Sequence, residues 1–194
     1  MNFKAYDILS SLVPGFLLLI AVLITLGIPF DKDLVVPYTA LAFLLGYMNN
    51  TISSWLEDIY FWTWGGKPSN CLLNGKDIWK VKFYHSAKVK SLLLAQTSSD
   101  SPSNDELFAI AMRKANGQKD SRVEDFNTMY AFSRVLLTAV LISGLPLIIT
   151  NYDNWRYYVI IFPTLFVLWL RCKQRGYYYC REVLNVYLKD NSNN

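Results

Sequence analysis

Histidine occurs once in these 194 residues, at His85. That lone imidazole has no G-x-S-x-G partner, which removes the usual Ser-His-Asp hydrolase motif. A HEPN-type ribonuclease site needs Arg followed by His at a short fixed spacing, and no Arg closely precedes His85. No phosphate-cradling loop is present either, because Gly65-Gly66-Lys67 lacks the first glycine spacing and the Ser/Thr that follows the lysine. Cysteine is scarce. Cys71, Cys172 and Cys180 are the three thiols, and the last two stand eight apart, far from the C-x-x-C of a zinc or redox site. An odd count close to the expected cytoplasmic ends fits reduced thiols. Juxtamembrane Cys172 fits either a plain thiol or an acylation site. The sequence therefore supplies no catalytic, cofactor-binding or metal-ligating residue. Charge is also thin, at 18% of residues, where a soluble domain carries about 25%.

Apolar stretches take the place of charge. They run roughly Ile8–Ile28, Leu34–Ile52, Met129–Ile149 and Trp155–Leu170, and the first has no charged side chain in its 21 residues. A helix of about 20 apolar residues crosses a hydrocarbon layer of about 30 Å. Tyr60, Trp62, Trp64, Trp155 and Tyr157 lie near stretch ends, as amphipathic rings do at headgroup level. A cleaved leader is the poorer account of the first stretch. Lys4 is followed by Asp7, and Leu26–Phe30 has no clean small-residue cleavage site. The expected fold is all-α and integral to a membrane, with four transmembrane helices paired as two hairpins and a helical cytoplasmic insertion between them. The expected division is hairpin 1 over residues 1–61, insertion over 62–128, hairpin 2 over 129–171, and a cytoplasmic C-terminal helix and tail over 172–194.

Basic residues set the orientation. Residues 62–128 carry ten Lys/Arg and the tail carries Arg171, Lys173, Arg175, Arg181 and Lys189, while the two short connections carry almost none. Lys and Arg are retained on the cytoplasmic side, so the insertion and both termini are expected inside the cell. Pro14-Gly15 and Gly144 with Pro146 interrupt the apolar helices and are expected to face neighbouring helices, which re-satisfy the freed backbone. In the insertion, Gly65–Asn70 reads as a tight turn, residues 77–96 as an amphipathic helix, and residues 98–104 as a Ser/Pro-rich loop. Asn104 is the expected N-cap of a helix that ends at Gly117. The segment from Gly176 to Lys189 should continue as a helix with Tyr, Val and Leu on one side.

Two groups of residues stand out as candidate sites. Glu57 and Asp58 lie at the inner end of the second stretch, at the same expected depth as Arg134 in the third. An ionisable group at membrane depth pairs or faces a cavity, so a Glu57–Arg134 or Asp58–Arg134 clamp between hairpins is expected; an ion path is the sharper alternative. Lys67, Lys76, Lys80, Lys82, Lys88 and Lys90 stand against one acid, Asp77, with Phe83, Tyr84 and His85 between them. Such a run suits anionic headgroups or RNA phosphates with base stacking, or is simply the positive-inside signal. Asn49, Asn50, Ser53 and Ser54 give the second stretch a polar end, fit for helix packing or for lining a pore.

Several phrases spread over most of the chain carry a resemblance. They are Tyr6-Asp7-Ile8-Leu9 with Val13-Pro14-Gly15, Gly46-Tyr47 with Trp55-Leu56-Glu57, Trp62-Thr63-Trp64-Gly65-Gly66-Lys67-Pro68-Ser69, Phe126 through Phe132-Ser133-Arg134, and Tyr179-Cys180-Arg181-Glu182-Val183. Together they resemble small four-span inner-membrane accessory proteins of bacterial defence systems, such as those beside type VI-B CRISPR loci. The resemblance implies a non-enzymatic membrane protein that modulates an antiviral, RNA-targeting effector through its cytoplasmic block. It brings no catalytic residue with it. The expected partners are the lipid bilayer, a defence nucleoprotein or its RNA, and a second copy of the chain in a homo-oligomer. The competing reading is an oligomeric pore that permeabilises the inner membrane.

Overall fold

The computed structural model describes residues 5–78, 80–98, 101–118 and 122–192. Lys4, Ser99, Asp100 and Lys119, on which parts of the sequence reading rest, lie outside the described residues. The helices are α1 (Ala5–Leu26), α2 (Val35–Trp55), α3 (Glu57–Trp64), α4 (Pro68–Leu73), α5 (Ser86–Leu94), α6 (Asn104–Asn116), α7 (Val123–Thr150) and α8 (Trp155–Ser192), with a 3-10 turn at Lys32–Leu34. Among the described residues there is no strand, only an isolated antiparallel bridge between Ile78 and Val81.

The expectation of four transmembrane helices is overturned. Among the described residues one helix, α7, is long and apolar enough to cross a membrane, with a mean hydropathy of 2.0 over its best window. The apolar stretch described in α1 is Ser10–Leu26. Two other helices fall short for separate reasons. In α2 the run is diluted by Pro37, Tyr38, Asn49 and Asn50. In α8 the apolar run is confined between Arg156 and Arg171, and those 14 residues rise only about 21 Å at about 1.5 Å each.

The chain divides into two units. Unit 1 comprises Met1–Glu57 and Phe132–Cys172; unit 2 comprises Asp58–Ala131 and Lys173–Asn194. Both α7 and α8 therefore run through the division, α7 out of unit 2 and α8 back into it.

Within unit 1, α1 and α2 lie antiparallel at very close range. A Cβ on Gly15 would overlap the Ala42 carbonyl oxygen, and one on Gly46 would overlap that of Ser11. Ser11/Gly15 and Ala42/Gly46 are each one turn apart, the small-residue spacing that lets helix backbones touch. Leu19, Leu23 and Ala42 are buried beside this crossing, with Leu12, Phe16, Tyr38 and Leu45 against them. In the second helix pair a Cβ on Gly144 would come within 2.7 Å of Ile161 Cγ2, so both Gly15 and Gly144 face neighbouring helices. Large apolar side chains remain outside: Ile20, Val36, Leu44, Val159, Phe166 and Val167 are all exposed.

Unit 2 packs the other way. Leu72, Val81, Val89, Leu93, Leu107 and Ala111 form one buried core with Tyr177, Cys180, Val183, Leu184 and Tyr187 of α8. The α8 positions recur at three- and four-residue steps, one face of a helix. Its end is clasped by polar contacts: Asp190 accepts from Gln118 at 2.7 Å and lies 3.2 Å from the Lys114 ammonium.

Local signals explain the connections. The Trp62–Ser69 phrase is a helix stop followed by a helix start. Gly65 and Gly66 have φ of 85° and 125°, Gly66 N–H bonds Phe61 O and Gly65 N–H bonds Trp62 O, the glycine-closed ending of an α-helix. Pro68 then opens α4 at its first turn, where its missing N–H costs nothing. The helix expected over residues 77–96 begins only at Ser86. Ahead of it Asp77 Oδ1 accepts from Phe83 N–H at 3.0 Å and Lys80 adopts φ 72°, which a helix does not allow. The cap of α6 is Ser103 rather than Asn104: its hydroxyl accepts from Glu106 N–H while Glu106 accepts from Ser103 N–H, a capping box.

Candidate functional site

Unit 1 holds a polar centre among apolar helices. Asn49 and Ser53, one turn apart on α2, are wholly buried, as is Thr138 of α7. Asn49 Nδ2 donates to Val135 O at 2.9 Å. Ser53 and Thr138 return their hydroxyls to their own helices, to Asn50 O and Arg134 O. Asn50 and Ser54, the other two members of the polar end, are exposed. Arg134 Nη1 lies 2.7 Å from Glu57 Oε1, with side-chain exposures of 13% and 29%. Of the two acids at this end of α2, Glu57 therefore takes the guanidinium; Asp58 is exposed and belongs to unit 2.

Cys172 is wholly buried in unit 1. Burial pushes its thiol up to about 12, against the pull of Arg134 and with Glu57 adding to the rise. A thiol so placed stays protonated and unreactive at neutral pH, and its burial also leaves no room for an acyl chain. Cys71 and Cys180 are buried as well. In unit 2 the Tyr177 hydroxyl is raised above its ordinary range, first by burial and then by its neighbours Cys71 and Cys180. Among the described residues no group of three or more His, Cys, Asp or Glu side chains comes together as a metal site.

The six lysines from Lys67 to Lys90 separate into two kinds. Lys67 and Lys90 are held by structure: Lys67 Nζ is 2.8 Å from Asp105 Oδ2, and Lys90 Nζ donates to Asn74 Oδ1 at 2.9 Å. Lys76, Lys80, Lys82 and Lys88 are exposed. Around Val81 the chain alternates, with Val81 and Phe83 buried and Lys80, Lys82 and Tyr84 exposed, the two-residue period of an extended segment. The buried members join the core of unit 2, and Tyr178 OH holds the Lys80 carbonyl at 3.4 Å. The result is an exposed row of two ammonium groups and a phenol ring on an anchored backbone, with the Asp77 carboxylate turned to Phe83 N–H. His85 is exposed beside the row, with its ring 6.4 Å from that of Phe83.

Sequence reasoning missed two members of the polar centre, Thr138 and Cys172. Thr138 had a signal in its position one turn beyond Arg134. Cys172 had none, since its neighbours Arg134 and Glu57 come from distant parts of the chain. No family model, curated protein or solved structure matches this chain.

Proposed function

We propose that the chain is a non-enzymatic accessory of the bacterial inner membrane, in which unit 1 is the membrane anchor and unit 2 regulates an antiviral, RNA-targeting effector of CRISPR type from the cytoplasm. The observation that carries the membrane half is the covering of α7. It is span-grade by length and hydropathy, yet only 28% of its apolar window is buried. A core helix of a soluble domain would be mostly covered, because exposed apolar area costs about 25 cal/mol per Å² in water.

Connectivity supports a multi-pass reading. Val123, at the start of α7, and Tyr187, near the end of α8, belong to one core. If α7 crosses the bilayer, α8 must bring the chain back to that core. Its apolar run is short, and Arg156 and Arg171 at the two ends can snorkel toward headgroups. The C-terminal part of α8, which belongs to the unit 2 core, then lies with that core on the cytoplasmic side. The basic bias of unit 2 agrees with that side. The effector half rests on the phrases that resemble defence-system accessories, of which Trp62–Ser69 is the most specific.

The test has two arms. The intact chain should co-purify with the nuclease encoded beside it, and cells expressing it alone should retain potassium. Leakage without any partner, abolished by Asn49→Leu with Asn50→Leu, would replace the accessory reading by a permeabilising homo-oligomer. For the anchor, a thiol at Asp153→Cys should react from outside the cell and one at Ser101→Cys only after permeabilisation.

A further inference from the structure

We infer that the exposed row Lys80–Lys82–Tyr84, flanked by Lys76 and Lys88, docks unit 2 onto a membrane surface that bears anionic phospholipid headgroups. This rests on the anchoring of unit 1 proposed above and goes beyond it, by giving unit 2 its own lipid contact. Three observations carry it.

The first is charge density. From Lys76 to Lys90 there are five lysines and one acid, Asp77, and one oxygen of that carboxylate accepts from Phe83 N–H. Among the described residues no bond or ion pair is seen to the side chains of Lys76, Lys82 or Lys88. A headgroup phosphate is the complement of such a surface. Each basic residue near an anionic leaflet shifts the docked-to-undocked ratio about fivefold.

The second is the ring. The Tyr84 side chain is 79% exposed although it stands between buried Phe83 and the start of α5. A phenol with an apolar body and a polar tip is at home at headgroup level. A single-stranded nucleic acid would instead call for successive exposed rings as a stacking platform. Here Phe83 is committed to the core, which leaves beside Tyr84 only the smaller imidazole of exposed His85. Lysine also offers a point charge rather than the planar fork that arginine gives to phosphate and base edges.

The third is tethering. Val123 is part of the unit 2 core, and α7 continues without a break into the one span-grade helix. Unit 2 is therefore held at the bilayer surface at high effective concentration. Individually weak ammonium–phosphate contacts suffice under that condition.

The experiment uses the full chain reconstituted into vesicles, with an environment-sensitive fluorophore at Ala87→Cys, an exposed site beside Lys88. The native thiols are all buried and leave the label specific. In vesicles containing phosphatidylglycerol the probe should shift to the blue relative to pure phosphatidylcholine. The shift should vanish in about 1 M salt, where screening acts within about 3 Å, and in the variant with Lys76, Lys80, Lys82 and Lys88 all changed to Gln. Tyr84→Ser should reduce it in part. Equal spectra in the two lipids, with the Asp153→Cys thiol still reaching the far side, would overturn lipid docking and leave the anchor standing. A shift produced by polyuridylate in phosphatidylcholine vesicles, with no response to phosphatidylglycerol, would overturn it in favour of nucleic acid. An Asp153→Cys thiol that never reaches the far side would overturn the anchor and the docking together.

Discussion

Unit 1 keeps Asn49, Ser53 and Thr138 inside and leaves Val36, Leu44 and Phe166 outside, whereas unit 2 keeps Leu72, Val89 and Leu184 inside and leaves Lys76, Lys82 and Lys88 outside. The two units also hold together differently. Unit 1 brings helix backbones into touch through glycine and fixes them with polar contacts, a mode suited to surroundings where apolar burial gives no driving force. Unit 2 fills a space with Leu, Val and Tyr, the mode of a domain in water. One chain thus shows two solutions to helix packing. Changes of opposite kind should therefore damage the two units: volume added at a contact in unit 1, volume removed from the core in unit 2.

The largest effect is expected from volume added to unit 1. Gly15→Leu must displace the backbone of Ala42, not a flexible side chain. Overpacking alone costs about 1–3 kcal/mol, and a backbone collision exceeds that range. Loss of hydrogen-exchange protection in α1 and α2 should report it. An unchanged protection pattern would mean that the helices do not meet at Gly15. Next in size is Leu184→Ala in unit 2, where a wholly buried leucine leaves a cavity worth about 3 kcal/mol. Thermal denaturation followed by protection of α5 and α6 should show the loss. Were those helices unaffected, the end of α8 would not be part of their core.

The Glu57–Arg134 pair comes third. Arg134→Ala strands Glu57 at the edge of the polar centre and should cost about 2 kcal/mol. Exchange of charges, Glu57→Arg with Arg134→Glu, should recover part of it. A double-mutant cycle without coupling would reduce the 2.7 Å contact to a coincidence of position. Cys172 adds a pH dependence. Its thiol is raised from 9.0 to about 12 in the folded state, so above pH 9 the unfolded chain loses a proton that the folded one keeps. Stability falls as pH rises through that window, with a slope that approaches about 1.4 kcal/mol per pH unit, and Cys172→Ala should flatten the alkaline limb of a denaturation series. A limb unchanged by the substitution would assign the slope elsewhere.

The smallest effect sharpens the comparison from the other side. Asn49 makes one hydrogen bond through Nδ2, while its buried Oδ1 has no partner among the described residues. One net hydrogen bond contributes about 1 kcal/mol and one buried orphan costs about 1–3 kcal/mol. Asn49→Leu should therefore change stability by less than about 1 kcal/mol, with either sign. A loss of several kcal/mol in detergent-solubilised melting would show that the polar centre contributes more than packing.

Much of the local structure was written in the sequence. Ser103 with Glu106, Gly65-Gly66 ahead of Pro68, and the small residues of α1 act through neighbours only a few positions away, so their effect can be read without the fold. The helical class and the span-grade character of α7 follow from composition over a window. Depth in a membrane is a harder matter. A run such as that of α8 looks long until Arg156 and Arg171 are set against the rise per residue, and that of α2 until its asparagines are counted.

What tertiary structure alone decided is which surface meets which. The periodicity of residues 177–187 marks an apolar face, but nothing in it says that α4, α5 and α6 cover that face. Two acids stood at the same depth as Arg134, and only the path of the chain after Trp55 put Glu57 within reach and turned Asp58 outward. Six lysines read alike in a row, and only the fold committed Lys67 and Lys90 to Asp105 and Asn74 while leaving the others exposed. The physical reason is common to all three. Side-chain chemistry and helix period are properties of a short segment, whereas a partner arrives from a distant one, and its arrival depends on how every intervening turn is closed.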